Sequence, residues 1–140
     1  MNPAPMDGVA KSLPLGLFSM VIVNEVEALD LTGESSTDAM LQAMHQRMPN
    51  TTVVLTLGSE GAIWLDANKH IHVPARTVSV VDTTGAGDTF TGYLLASLVQ
   101  GMVAEAAMRR TVRAAALCVT QAGAADSIPL ASSVDADELA

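Results

Sequence analysis

The sequence predicts an α/β fold, a parallel sheet flanked by helices, and three observations carry that prediction. Thr52 to Leu57 is a nearly continuous apolar run, as expected of a strand covered on both faces. Strand-like and helix-like segments alternate along the chain without repeats or low-complexity linkers. Val78-Ser79-Val80-Val81 runs into a glycine-built turn, Thr83-Thr84-Gly85-Ala86-Gly87, from which a helical pattern begins. Phe90, Leu94 and Leu98 share one face of it, with Tyr93 and Ser97 beside them, until Gly101 supplies a stop.

The elements follow in order. Met20 to Val23 reads as a short buried strand ending at Asn24, and Glu25 to Leu31 as a short helix stopped by Gly33. Ser35, Ser36 or Thr37 can cap the next helix, in which Met40, Leu41, Met44 and Met48 share a face before Pro49 ends it. After the Thr52–Leu57 strand, Ile63 to Leu65 and Ile71 to Val73 form a short hairpin, and Val78 to Val81 returns to the sheet. Two helices close the chain, Asp88 to Gln100 and Ala104 to Thr120. Ligand loops are expected at the strand ends, where open α/β sheets bind their ligands.

Composition narrows the function classes. The chain has 140 residues, enough for one domain with its own core. Its net charge of −8 argues against a nucleic-acid partner, whose affinity is carried by Lys and Arg. Arg109, Arg110 and Arg113 sit together, and on a helix they read as a solvated face. Cys118 is the only cysteine, so no internal disulfide can form, and a reducing, cytoplasmic setting is expected. No basic-then-apolar leader opens the chain, and the apolar stretch Leu13–Val23 is interrupted by Pro14, Gly16 and Ser19 and is too short to span a bilayer. Hydrophobic residues make up 49% with a mean hydropathy of +0.34, but aromatics only 3%, so the core is aliphatic. That is more apolar surface than a small unit easily buries.

The chemistry concentrates at Val81-Asp82-Thr83-Thr84-Gly85-Ala86-Gly87-Asp88-Thr89-Phe90. Glycines let the backbone approach a ligand closely. The first amides of the following helix lack intrahelical partners and make an anion site at its positive end. An aspartate there suits proton acceptance from a hydroxyl. Amides for a phosphate and a base for an alcohol are the pairing that phosphoryl transfer needs. Taken alone, Gly-Ala-Gly-Asp reads better as a helix cap after a tight turn, since short glycine patterns recur by chance.

Further segments change that balance. The stretch Asp82 to Leu95 resembles the C-terminal signature of the ribokinase-like (PfkB) carbohydrate kinases. Asn24-Glu25-Val26-Glu27-Ala28 with Leu31-Thr32-Gly33 resembles that family's Asn-x-x-Glu motif. Val54-Leu55-Thr56-Leu57-Gly58-Ser59-Glu60-Gly61-Ala62 resembles its nucleotide-binding strand and loop. Asn2-Pro3-Ala4-Pro5 and Val119-Thr120-Gln121-Ala122-Gly123-Ala124 fit in the same order. Within the family the likeness is greatest to ribokinases. It covers nearly the whole chain but only the C-terminal half of the family's fold.

The resemblance implies a layered, Rossmann-like ribokinase fold, with residues 1–140 forming its nucleotide-binding and catalytic-loop part. The N-terminal half, which carries sugar recognition and a lid, is expected to be absent. A strand edge and an apolar face are then expected to stay open, for self-association or for a complementary N-terminal polypeptide. Asp88 matches the base that takes the proton of the acceptor sugar, and Gly85, Ala86 and Gly87 match the anion hole. Asn24 and Glu27 are implied to order the nucleotide's phosphates and the Mg2+ shell, Glu27 through water; on the residues alone they also make a capping box. Thr56, Leu57, Gly58, Ser59, Glu60 and Gly61 correspond to the loop along the ATP, or are a plain strand-to-turn connection. Asp82, Thr84, Cys118, Gln121, Gly123 and Ser127 align with a monovalent cation (K+) loop, most of them through carbonyls. Val112 stands where ribokinases often carry a polar adenine neighbour.

His70 and His72 alternate on a strand without a third metal ligand near them, so a solvated hairpin face is the better reading. His45 reads as lying on the polar side of its helix, Cys118 as a small core residue and Trp64 as packing. The expected reaction is ATP-dependent phosphorylation of a ribose-like sugar, with no nucleic-acid or membrane partner. The alternative is a truncated remnant or nucleotide-binding module without turnover.

Overall fold

The computed structural model describes residues 1–3 and 8–137. Ala4 and Pro5 of the Asn-Pro-Ala-Pro segment therefore lie outside the described residues. The chain divides into two compact units, Met1–Gly58 with Ala62–His72, and Ser59–Gly61 with Val73–Ala140.

The first unit opens with a short helix, α1 (Gly8–Ser12), and a 3-10 turn at Leu15–Leu17. Then follow β1 (Met20–Asn24), α2 (Glu25–Thr32), α3 (Thr37–Arg47), β2 (Thr52–Thr56), β3 (Ala62–Leu65) and β4 (His70–Val73). The strands lie in the order β1-β2-β3-β4. β1 and β2 are parallel, with Met20 opposite Thr52 and Asn24 opposite Thr56, which puts their C-terminal ends side by side. β2 and β3 are antiparallel, so the sheet is mixed where the sequence predicts a parallel one.

Each boundary has a local cause. Gly33 ends α2 in the left-handed conformation (φ 76°), and its amide closes on Leu29. Of the three candidate caps for α3, Ser36 is the one used, its Oγ accepting from the amide of Ala39. One face of the sheet, with Val21, Val23, Val53 and Leu55, packs with Ala28, Met40, Leu41 and Met44 in a single apolar cluster. Ile22, Val54 and Trp64 on the other face are also buried. The expected open apolar face is therefore not found at β1 and β2. The outer edge of β1 is not bare either: the Met1 amine donates to the Met20 carbonyl (2.8 Å), and the Ile22 amide donates to the Met1 carbonyl (2.8 Å).

The second unit holds α4 (Ala86–Val99), α5 (Ala104–Cys118) and α6 (Ala131–Ala136). α4 packs against α5, and α5 against α6. Along α5 the buried residues Ala104, Ala107, Met108, Thr111, Ala114 and Cys118 recur at helical spacing and form the core-facing stripe.

Two expectations fail here. Val78–Val81 is not a strand: the amides of Val81 and Asp82 both donate to the Val119 carbonyl at the end of α5, and Val80 and Val81 are exposed. With its partners taken from a helix end rather than a sheet, the segment lacks a ladder to join. Arg110 is not on a solvated face but buried, its guanidinium held by Asp135 (2.7 and 3.2 Å) and Ser97 (3.2 Å) and lying 5.3 Å from the Tyr93 ring centre. The two other helix arginines differ from it. Arg109 is exposed and paired with Glu105, and Arg113 donates to the Val134 carbonyl.

Candidate active site

In the first unit, the C-terminal end of β1 delivers Asn24 to the start of α2. The Asn24 side chain accepts from the Glu27 amide (2.8 Å), and the Glu27 carboxylate accepts from the Asn24 amide (2.9 Å). This is a complete capping box, and it fixes both side chains on the turn while Glu27 stays buried. The box engages Oδ1 of Asn24 and Oε2 of Glu27. Asn24 Nδ2 and Glu27 Oε1 have no partner among the described residues. Thr56, opposite Asn24 in the parallel register, brings the start of the Thr56–Gly61 loop to the same strand end. Asn24, Glu27, Thr56, Leu57 and Gly58 thus form one cluster of sequence-predicted residues.

The rest belong to the second unit. Gly61 has φ 101°, and a Cβ there would lie 2.0 Å from the Val73 carbonyl oxygen, so only glycine fits where the loop passes that segment. Ser59 and Glu60 are exposed beside it.

Helix α4 starts at Gly85 (φ 80°), which has no side chain to cap the helix. A Cβ at Gly85 would lie 2.9 Å from the Ala124 carbonyl oxygen, so this turn rests directly on the loop after α5. The Ala86 amide donates to Thr83 O (3.2 Å) and the Thr89 amide to Gly85 O (2.8 Å). The amides of Gly87 and Asp88 have no acceptor among the described residues. Asp88, the third helical residue, is exposed. An anion placed here meets unpaired N–H groups at the positive end of a helix of 14 residues.

Asp82 ties this turn to the loop after α5. Its carboxylate accepts from the Thr84 amide (2.9 Å) and the Gly123 amide (3.0 Å). Those bonds, with one from the Thr84 side chain, hold its pKa below the usual carboxylate value. Cys118 is fully buried and sits between Thr89 and Ser127. Its carbonyl accepts the Gln121 amide (3.2 Å), while the Gln121 residue itself is exposed. Of the residues aligned with a cation loop, Asp82 joins Thr84 to Gly123, Cys118 is paired separately with Ser127, and Gln121 closes the turn after α5.

Val112, Val73 and Pro74 line a groove of about 240 Å³ together with Arg76, Arg109 and Arg113. Arginine lining was not legible in the sequence, because Arg76 comes from the segment after β4 and the other two from α5. No group of three or more His, Cys, Asp or Glu side chains able to hold a metal ion occurs among the described residues. His70 and His72 are exposed on β4, as expected. His45 is half-buried, and its Nδ1 lacks a hydrogen-bond partner. Trp64 is buried and also donates to Asp66 (2.8 Å).

The helix start at Gly85 leaves amides free for an acceptor, and comparison with known proteins gives the family. Residues 2–131 match the pfkB family of carbohydrate kinases, and the chain belongs to that family. It is 35% identical over 134 residues to the ribokinase of Haemophilus influenzae, covering 92% of this chain and 43% of that one. The solved ribokinase of Thermotoga maritima superposes with a TM-score of 0.87 at 31% identity, over 99% of this chain and 48% of that one. The Arabidopsis thaliana ribokinase complexed with ribose and ATP superposes with a TM-score of 0.81 at 34% identity, over 87% of this chain and 41% of that one. The chain thus spans less than half the length of these relatives. Among the described residues, no helix is long and apolar enough to cross a membrane.

Proposed function

We propose that this chain is the nucleotide-binding and catalytic-loop part of an ATP-dependent sugar kinase acting on a ribose-like acceptor in the cytoplasm. The observation that carries this reading is the start of α4, where the Gly87 and Asp88 amides are unpaired next to the exposed Asp88 carboxylate. In the reaction the sugar hydroxyl oxygen forms a bond to the γ-phosphorus, and the bond from that phosphorus to the β–γ bridging oxygen breaks. ADP leaves, and the hydroxyl proton passes to Asp88. The amides stabilise charge on the transferring group through a dipole that is already oriented. The ribose and ATP held by the Arabidopsis relative support this substrate pair.

The chain's own residues divide the remaining work. Asn24 Nδ2 is a donor for a phosphate oxygen, and Thr56 to Gly61 line the nucleotide. Val73, Pro74 and Val112 offer apolar walls to a base. Magnesium fits Glu27: one carboxylate oxygen is free of the capping box, and this ion commonly takes one or two carboxylates plus waters and phosphates. When bound, it would neutralise phosphate charge. Potassium would be held by the remaining lone pairs of Asp82 with the carbonyls of Thr84 and Gly123, and would add positive charge near the turn.

A second reading, a nucleotide-binding module without turnover, is favoured by a different observation. No Lys or Arg occurs from Thr77 to Met108, so no basic side chain of that segment neutralises the phosphates. Titration of the labelled chain with ATP and magnesium tests what both readings share. The Gly87 and Asp88 amide resonances are expected to shift saturably; resonances unmoved at millimolar ATP would overturn the nucleotide site.

A further inference from the structure

We propose that Thr89, Cys118 and Ser127 form a buried hydrogen-bonded chain that positions Asp88, with Cys118 as its central positioning residue. The proposal rests on the reading of the α4 start as the reacting turn. Its own basis is the way that turn is held.

A helix start offered to a ligand cannot also be capped by its own side chains. Gly85 contributes none, and the amides of Gly87 and Asp88 are left unpaired, so the local means of holding the first turn are missing. The hold comes from one residue further along. Thr89, adjacent to Asp88, is 2% exposed, and its hydroxyl donates to the Cys118 sulfur at 3.3 Å. Cys118 (0% exposed) is the last residue of α5 and lies 3.2 Å from the hydroxyl of Ser127 (1% exposed). The Ser127 hydroxyl in turn donates to the Ala124 carbonyl at 3.0 Å.

Proton counting orients the chain. Thr89 gives its one hydroxyl proton to sulfur, and Ser127 gives its one to Ala124. The thiol proton therefore goes to Ser127 Oγ, the nearer of its two acceptors, since Thr84 O is 4.0 Å away. The chain then closes on itself, because Ala124 O is the atom that would meet a Cβ on Gly85, the N-cap of the same helix. A ring of contacts from Gly85 through Ala124, Ser127 and Cys118 to Thr89 clamps the turn that carries Asp88. Thiol hydrogen bonds are weak individually, but a buried hydroxyl that loses its partner bears the full cost of its desolvation. A broken link would loosen this turn before it loosens the rest of the chain.

The experiment compares the full 140-residue chain with Thr89→Val, Cys118→Ala and Cys118→Ser. Thr89→Val keeps the branched shape and removes the donor; Cys118→Ser keeps a donor and acceptor. Amide exchange is expected to speed up at least tenfold at Thr89 and Phe90 in the first two variants, with Val53–Leu55 unchanged and with Cys118→Ser restoring the parent rate. ATP affinity is expected to fall at least fivefold in the same two variants and to recover in the serine variant. Unchanged exchange at the first turn, or an increase spread evenly over the chain, would overturn the clamp. If the parent chain binds no ATP, the nucleotide reading fails while the exchange comparison still decides the clamp.

Discussion

At the scale of single residues, the proposed site rests on a few side chains whose neighbours leave them free to act. Asp88 is exposed and stands at the third position of α4, where the helix gives it unpaired amides as companions. Its neighbour Asp82 has a different task, since both its oxygens accept amide protons across two loops. When the chain is combined with the N-terminal half of a related ribokinase so that turnover is restored, Asp88→Asn should lower kcat by about 10²- to 10⁴-fold. ATP affinity should stay near the parent value, because the substitution keeps shape and removes only the base. Sugar phosphorylation at the parent rate by the Asn variant would assign the base elsewhere. The Asp88 turn and the Asn24–Glu27 box were legible in the sequence because each is local, set by residues within one helical turn. Arg110 was not: its burial depends on Ser97 and Asp135, 13 and 25 residues away.

At the scale of elements, that arginine joins three helices. It bonds Ser97 on α4 and Asp135 on α6 from its place on α5, and Tyr93 beneath it donates to the Pro129 carbonyl (2.6 Å). Arg110→Ala should destabilise the chain by about 2–3 kcal/mol, since it strands the buried Ser97 hydroxyl and opens space against Tyr93. Asp135→Asn, half-exposed, should cost under about 1 kcal/mol. Urea unfolding of both variants checks the ranking, and equal effects would show that the pair acts only as a surface ion pair.

The same contacts set the acid response. The Arg110 guanidinium lowers the pKa of Asp135, the Trp64 indole that of Asp66, and the Thr84 amide that of Asp82, each from 3.8. A depressed carboxylate binds fewer protons in the folded chain than in the unfolded one. Its contribution is therefore complete above the ordinary value and fades as pH falls through the lower folded value. Unfolding midpoints should be flat from pH 7 to about 5 as far as these groups are concerned, then fall steeply below about 4. A double substitution of Asp82 and Asp135 by Asn should flatten that limb, and an unaltered limb would place the acid sensitivity in other groups.

For the molecule as a whole, the chain spans less than half the length of the ribokinases compared above. The segments resembling the nucleotide site are present, whereas sugar recognition is expected in the half that lies outside them. The isolated chain should therefore bind ATP but show no sugar-dependent turnover. ADP release that requires both ATP and ribose from the pure chain would refute that division of labour. Because β1 and β2 are buried on both faces, their amides should exchange slowly in the same preparation. Rapid exchange there would mean that the strands need a complementary polypeptide to stay ordered.

Apolar periodicity, helix stops and short motifs act over a few residues, so the α/β order, β1 to β4, α2 to α5 and the family were legible in the sequence, whereas α1 and α6 were not. The folded chain was needed to show that the sheet is mixed, that Val81 bonds to the end of α5, and which of three residues caps α3. It also decided that Cys118 joins two polar hydroxyls instead of packing as an inert apolar side chain. The physical reason is the same throughout. A strand needs a partner with free backbone groups, and a buried polar group needs a partner of its own, and both partners lie far away in the chain.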